Sequence, residues 1–203
     1  MANQISLKDY EKAYQKIKQF IIDTPIIKFD KNIFLKKESL QVTGSFKWSG
    51  VLYSVMKAFD EILIHQTTPF YLVTQSTGNH GIAVIASVTL MIKHYSKIYP
   101  EYKGIWGNIS PCIFANQNIK PKKLEKMKNY LQQFKFNNRA FVDNSFNNYA
   151  HSLIARTEFL KKNNGKYMQH GGKDIMTGYG AIAFSIDREL PKGKSVSFYS
   201  AVE

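Results

Sequence analysis

Gln41-Val42-Thr43-Gly44-Ser45-Phe46-Lys47-Trp48-Ser49-Gly50 is the stretch from which the rest of the chain is read. A turn at Thr43-Gly44-Ser45 opens a helix, and Lys47 stands at its start with no structural duty that the sequence reveals. A lysine that can lose its proton there suits aldehyde chemistry, which needs one reactive amine. Further on, Gln75-Ser76-Thr77-Gly78-Asn79-His80-Gly81-Ile82 reads as a strand end, a Gly/Ser/Thr turn and a helix start. Backbone N–H groups at such a turn lack intrahelical partners and point at whatever lies in front, usually an anion. Read alone, the first stretch also fits a helix N-terminus with a solvated lysine, and the second an ordinary strand-to-helix turn.

The flanks extend the pattern. Thr24-Pro25-Ile26 precedes Leu35-Lys36-Lys37-Glu38, which precedes Gly44-Ser45-Phe46-Lys47-Trp48-Ser49-Gly50 and Ser76-Thr77-Gly78-Asn79-His80-Gly81. In this order they resemble the motifs T-P-L, L-K-x-E, G-S-F-K-x-R-G and S-[SA]-G-N-H-G of the fold-type II pyridoxal-phosphate enzymes. The resemblance is to the threonine/serine dehydratase and serine racemase branch, within the tryptophan synthase β-like group. It is clear over roughly residues 7–90 and fades towards the C-terminus. The motif's arginine two residues after the lysine is Ser49 here. Gly178-Tyr179-Gly180-Ala181-Ile182-Ala183 is similar to the family's G-Q-G-T-I-A, without the Pro-[FY]-Asp that precedes it.

The resemblance implies an α/β fold of three-layer open parallel sheets with an incomplete large domain. Residues 1–40 would begin the large domain, 41–160 would form the small domain, and 161–203 would return to the large one. The implied cofactor is pyridoxal 5'-phosphate, held by Lys47 as a Schiff base, with Phe46 beside the ring and Asn79 on its phenolic oxygen. Ser76, Thr77, Gly78, Asn79 and His80 would bind the substrate carboxylate. Thr77 stands where racemases carry a serine that acts as a second base, and its bulk argues against racemisation. The implied reaction is β-elimination of ammonia from a hydroxy amino acid such as L-threonine or L-serine. The family's tetraglycine phosphate loop and its pyridine-nitrogen partner have no counterpart before Glu203. The chain is therefore expected to be truncated and inactive alone. A homodimer, a complementary C-terminal chain, or a non-catalytic remnant are the open alternatives.

Composition bounds the other readings. The 203 residues suffice for one domain or two small ones with a real core, and a 44% hydrophobic content suits a globular protein. No apolar run is long enough to span a membrane, and Met1-Ala2-Asn3-Gln4 lacks a signal peptide's apolar segment. Cys112 is the single cysteine, so no internal disulfide forms and the cytoplasm is the expected compartment. A net charge of +13 invites a nucleic-acid reading. The charge is nearly all lysine, spread along the chain and without a nucleic-acid motif, so no nucleic-acid partner is expected. The cluster Lys120-Pro121-Lys122-Lys123, continuing to Lys126 and Lys128, has helical spacing and is read as a solvated helix face. His65, His94, His151 and His170 are scattered without ligand spacing, so no metal site is expected.

Periodicity orders the elements. Apolar positions Tyr10, Ala13, Tyr14, Ile17, Phe20 and Ile21 predict a helix over 7–22, capped by Ser6 with Asp9 near its positive end. Ile33-Phe34-Leu35 predicts a short strand, and the Lys47 helix is expected to reach His65. Phe70-Tyr71-Leu72-Val73-Thr74 predicts a buried parallel strand, and the helix from Gly81 to Tyr95, apolar nearly all round, a buried helix. Residues 95–108 read as a loop and Ile109–Ala115 as a strand in which Pro111 marks an edge or start. Helix 120–134, strand 139–143, helix 147–161, strand 165–170, helix 178–190 and strand 194–202 complete the alternation.

Overall fold

The computed structural model of the protein describes residues 4–31, 33–134, 136 and 139–189. Helix α1 (Leu7–Ile17) starts at a capping box in which Ser6 accepts from the Asp9 N–H and the Asp9 carboxylate accepts from the Ser6 N–H. It ends earlier than its periodicity predicts, passing into a 3-10 turn at Lys18–Phe20. Strands β1 (Ile26–Asp30) and β2 (Ile33–Lys36) then form an antiparallel hairpin. The sequence marks only the second of them. Neither strand has a buried face, so no alternation was available to mark the first: Phe29 is 69% and Ile33 51% exposed.

The T-P and L-K-x-E residues tie this hairpin down. Thr24 donates to Glu38 Oε1 at 2.5 Å, and Lys36 Nζ donates to the Thr24 carbonyl. Lys36 also reaches Ser185 Oγ at 2.5 Å and Glu189 Oε1 at 2.7 Å. Its partners Ser185 and Glu189 lie on a helix near the end of the described chain, so these motif residues hold distant parts of the fold together.

Helix α2 (Lys47–His65) runs as the sequence predicts. Strand β3 (Phe70–Gln75) delivers the chain to helix α3 (Asn79–Ile98). The expected loop after it is instead a 3-10 turn at Pro100–Tyr102 and a short helix α4 (Lys103–Trp106). The reason is Trp106, fully buried and stacked on Phe59 at 5.8 Å. Strand β4 (Ile109–Asn116), helix α5 (Pro121–Gln133), strand β5 (Phe141–Phe146), helix α6 (Tyr149–Lys162), strand β6 (Gly165–Tyr167) and helix α7 (Lys173–Glu189) follow. The expected strand over Ser195–Tyr199 lies outside the described residues.

Strands β3 to β6 form one parallel sheet in the order β5-β4-β3-β6. Pro111 lies where only β3 pairs with β4, because the β5 ladder begins at Cys112, and the missing N–H costs no bond on that side. The chain steps outward from β3 to β4 to β5, then returns to the other side of β3. Right-handed crossovers place the outward and returning helices on opposite faces. Met127 of α5 and the α3 residues Ile85 and Val88 share the main core with Val51, Leu52, Val55 and Phe59 of α2. On the other face, Phe159 and Leu160 of α6 cover Val73, Cys112 and Phe114. The architecture is thus a three-layer α/β fold around an open parallel sheet. Burial pushes the Cys112 thiol up to about 12, which makes it an inert core group.

The expected domain boundary at 160 falls inside this architecture. β6 lies beyond it, yet pairs with β3 through Tyr71↔Gly165 and Val73↔Tyr167. Sequence order shows that a strand follows α6, but not which edge of the sheet accepts it. Helix α7 then crosses α2 closely enough that glycines face each other: a Cβ on Gly178 would meet the Gly50 Cα at 2.8 Å.

Candidate functional site

The reversal of strand order places a topological switch point between β3 and β6. In open α/β sheets, ligands bind beyond the carboxyl ends of the strands at such a point. Here β3 ends at Gln75 and runs into Ser76–Asn79, while β6 ends at Tyr167 and runs into Met168–His170.

The turn before α2 is held from several sides. The Gln41 side chain accepts from the Ile22 N–H at 3.1 Å and donates to the Ile22 carbonyl at 2.6 Å. Gly44 has φ +81°, a conformation that disfavours side chains. Ser45 Oγ accepts the Lys47 N–H at 3.1 Å, and buried Trp48 donates its indole N–H to the Phe20 carbonyl at 2.9 Å. With Trp48 locked inward, half-buried Lys47 faces the other way. Its Nζ lies 4.4 Å from the Phe46 ring centre and 5.8 Å from that of Tyr179. Phe46 leans on Tyr179 at 5.5 Å. Tyr179 was quoted for its motif and not as a site residue; the α2–α7 crossing brings it here. Burial drives its hydroxyl pKa upward, so the hydroxyl stays protonated.

The loop after β3 is built around Ser76. Its Oγ accepts the N–H groups of Gly78 at 3.2 Å and Gly81 at 3.0 Å. Gly78, expected as a carboxylate donor, therefore spends its N–H inside the loop. The N–H groups of Thr77, Asn79 and His80 make no hydrogen bond within the described residues and remain at the N-terminus of α3. That is where an anion is stabilised.

His80 is buried, and its Nε2–H donates to the Met168 carbonyl at 3.0 Å. The His170 Nε2–H donates in turn to the Gln75 carbonyl at 2.6 Å, and the two rings stack at 4.0 Å. His80, at the start of α3, thus reaches the segment after β6, and His170 reaches back from that segment to the end of β3. His170 carried no role in the sequence reading, because only the β3–β6 pairing makes it a neighbour of His80. The His80 Nε2 is committed to its bond with Met168 and its Nδ1 is buried without a hydrogen-bond partner among the described residues, so the backbone N–H is the part able to meet a substrate. Burial first, then the neighbouring His170, holds the His80 pKa down at about 3. An unfolded histidine titrates near 6.5, so between these values the unfolded chain binds the extra proton. Stability is therefore present above pH 6.5 and is lost as pH falls. Urea melts should show a loss of about 1–2 kcal/mol between pH 6.5 and 5. His80→Gln should flatten that slope; an unchanged slope would assign it to other groups.

A cavity of about 360 Å³ joins these pieces. It is lined by Lys47, Ser76, Thr77, Gly78, Asn79 and His80, together with Gln75, Asn116, Lys123, Tyr149, Ser152 and His170. Phe46 stands outside this wall, against Tyr179. Lys123 corrects the reading of the α5 lysines as a solvated face, since its Nζ would sit 3.2 Å from a Cβ on Gly78. Lys126 Nζ likewise donates to the Thr43 carbonyl at 3.1 Å. Helical spacing located these lysines on one face, but not the loops opposite that face. Among the described residues the lining holds two lysine amines and no carboxylate. An aldehyde ligand carrying negative charge, and a substrate carboxylate, both fit such a site.

The family described as pyridoxal-phosphate dependent enzyme matches residues 17–202. Serine racemase of Dictyostelium discoideum is 33% identical over 105 residues, covering 48% of this chain and 31% of that protein. A catabolic L-threonine dehydratase of Staphylococcus aureus is 33% identical over 108 residues, covering 49% of this chain and 30% of that one. Among solved structures, a pyridoxal 5'-phosphate-dependent aspartate racemase superimposes with TM-score 0.71 at 22% identity, over 93% of this chain and 53% of that chain. Maize serine racemase superimposes with TM-score 0.70 at 19% identity, over 92% and 50%. The chain thus spans about half of these solved chains, and its matches cover less than a third of the two curated relatives.

Proposed function

The chain belongs to the pyridoxal-phosphate dependent enzyme family, with pyridoxal 5'-phosphate as its cofactor, and on that premise we propose that it serves β-elimination of ammonia from a hydroxy amino acid such as L-threonine or L-serine. The observation that carries this reading is the shared cavity. The Lys47 amine and the free N-terminal end of α3 face one space, at the strand-order reversal, with no carboxylate in its lining among the described residues.

When bound, the cofactor supplies an electron sink for the pair released at the substrate's α-carbon. Lys47 holds the cofactor through its amine and moves the α-proton. Proton transfer requires the neutral amine, and the Phe46 and Tyr179 rings flank its Nζ. The N–H groups of Thr77, Asn79 and His80 hold the substrate carboxylate in the cavity that these residues line. The Asn79 side chain orients the cofactor ring by a hydrogen bond. Elimination is favoured over racemisation because Thr77 replaces the smaller second base of the racemases.

A second reading, that the chain works with a partner chain, is supported by the hairpin. Ile33, Phe34 and Leu35 are 51%, 47% and 43% exposed, an apolar strip that a partner could cover. Among the described residues no helix is long and apolar enough to cross a membrane. We place the protein in the cytoplasm on its one free, buried cysteine.

Reduction with borohydride in the presence of pyridoxal phosphate, followed by peptide mapping, tests the assignment. A single pyridoxyl label on Lys47 is expected. Label spread over many lysines, and unchanged in Lys47→Ala, would refute it. Asn79→Ala should weaken cofactor binding by about 1.5–3 kcal/mol, the worth of a hydrogen bond to a charged group. Thermal stability should hold, and a variant that melted early while binding normally would make Asn79 a turn residue only.

A further inference from the structure

A second cavity lies behind the Lys47 turn, between α1, the start of α2 and α7. Its volume is about 320 Å³, and Glu38, Gln41, Ser49, Ile182 and Arg188 are among its lining residues. Two polar atoms in its wall are buried without a hydrogen-bond partner among the described residues: Glu38 Oε2 and Ser49 Oγ. Ser49 as a whole is 2% exposed. An unpaired carboxylate oxygen out of water is among the costlier features a fold can carry. The neighbouring polar groups do not relieve it. Both ends of the Gln41 amide are committed to Ile22, and Glu38 uses its other oxygen on Thr24.

We infer that this cavity is a binding site for a small alkylguanidinium ion. The charge requirement comes from Glu38, whose free oxygen calls for a cationic donor. The shape comes from the placement of the two acceptors. Glu38 Oε2 and Ser49 Oγ both belong to the wall of this one cavity, and a planar fork of N–H groups offers a donor to each. A guanidinium is also more weakly hydrated than an ammonium and loses less on entering. Ile182 offers an apolar wall to the alkyl part. The competing cations are spent or screened: Arg188 is paired with Asp23 at 3.0 Å, and Lys18 is exposed to solvent. The site is separate from the Lys47 cavity, and its test needs no cofactor.

The experiment is thermal unfolding of the chain with n-propylguanidinium at millimolar concentration, at matched ionic strength, with n-butylammonium as the control cation. A saturable rise in Tm of about 3–6 °C at ten times the dissociation constant is expected for n-propylguanidinium alone. Ser49→Arg should fill the cavity, raise the starting Tm and abolish the response. Ser49→Met, which fills the space without charge, should also abolish it and stands in if the arginine variant does not fold. Glu38→Gln should weaken the affinity about tenfold or more. The absence of a saturable shift would overturn the inference, leaving a water-filled space. So would an equal shift with n-butylammonium, or a shift that survives in the filled variants.

Discussion

Replacing Lys47 by alanine should reduce ammonia release from L-serine or L-threonine by about 10²–10⁴-fold or more, the range for losing one positioned acid–base group. The comparison belongs in the longest form of the protein that turns over either amino acid. Lys47→Arg should be as inactive, because a guanidinium keeps its proton and cannot serve as a base. The folded state should barely notice either change. Lys47 is half-buried, and its Nζ makes no hydrogen bond within the described residues, only ring contacts with Phe46 and Tyr179. Stability should therefore stay within about 1 kcal/mol of the parent. Turnover that persists in Lys47→Ala would remove the lysine from the chemistry. A variant that loses activity only because it unfolds would show this in its melting curve.

The second large effect is structural and acts on the same helix. Gly178→Ala should cost about 3 kcal/mol, lowering Tm by about 6–12 °C. The added Cβ would meet the Ser49 carbonyl oxygen at 2.7 Å, the Tyr53 Cβ at 2.7 Å and the Gly50 Cα at 2.8 Å. Two of these are backbone atoms of α2, which cannot swing aside as a long side chain would. The helices must part, and α2 carries Lys47 at its first position. Gly171→Ala is the control, because its Cβ would meet nothing within 4 Å. A Gly178→Ala protein as stable as the parent would mean that α7 does not pack on α2 this closely.

Local signals served well where one element decides its own form. The α2 helix, the buried run of β3 and the Ser6 cap were legible because apolar spacing and capping chemistry act within a few residues. The Gly178-Tyr179-Gly180 motif was also visible, but its use was not. Gly178 is required by the approach of α2, and Tyr179 reaches Lys47 across that same contact. The β1 strand went unread for the converse reason, since neither face of the hairpin is buried enough to pattern it. Trp106 turned an expected loop into ordered structure because one large aromatic found a pocket beside Phe59.

By itself the sequence determined the chemistry-bearing pieces: an amine after Gly-Ser-Phe, a helix start with free donors, and the alternation that makes a parallel sheet. Each depends on residues adjacent in the chain. Tertiary structure alone decided that β6 returns to the far side of β3, crossing the boundary expected at 160. That one pairing creates the switch point, brings His170 onto His80 and fixes where the α3 donors face. Folding also turned Lys123 towards Gly78 and enclosed Ser49 with Glu38. These choices rest on which apolar faces bury one another across long stretches of chain, a free-energy comparison that periodicity within one element does not contain.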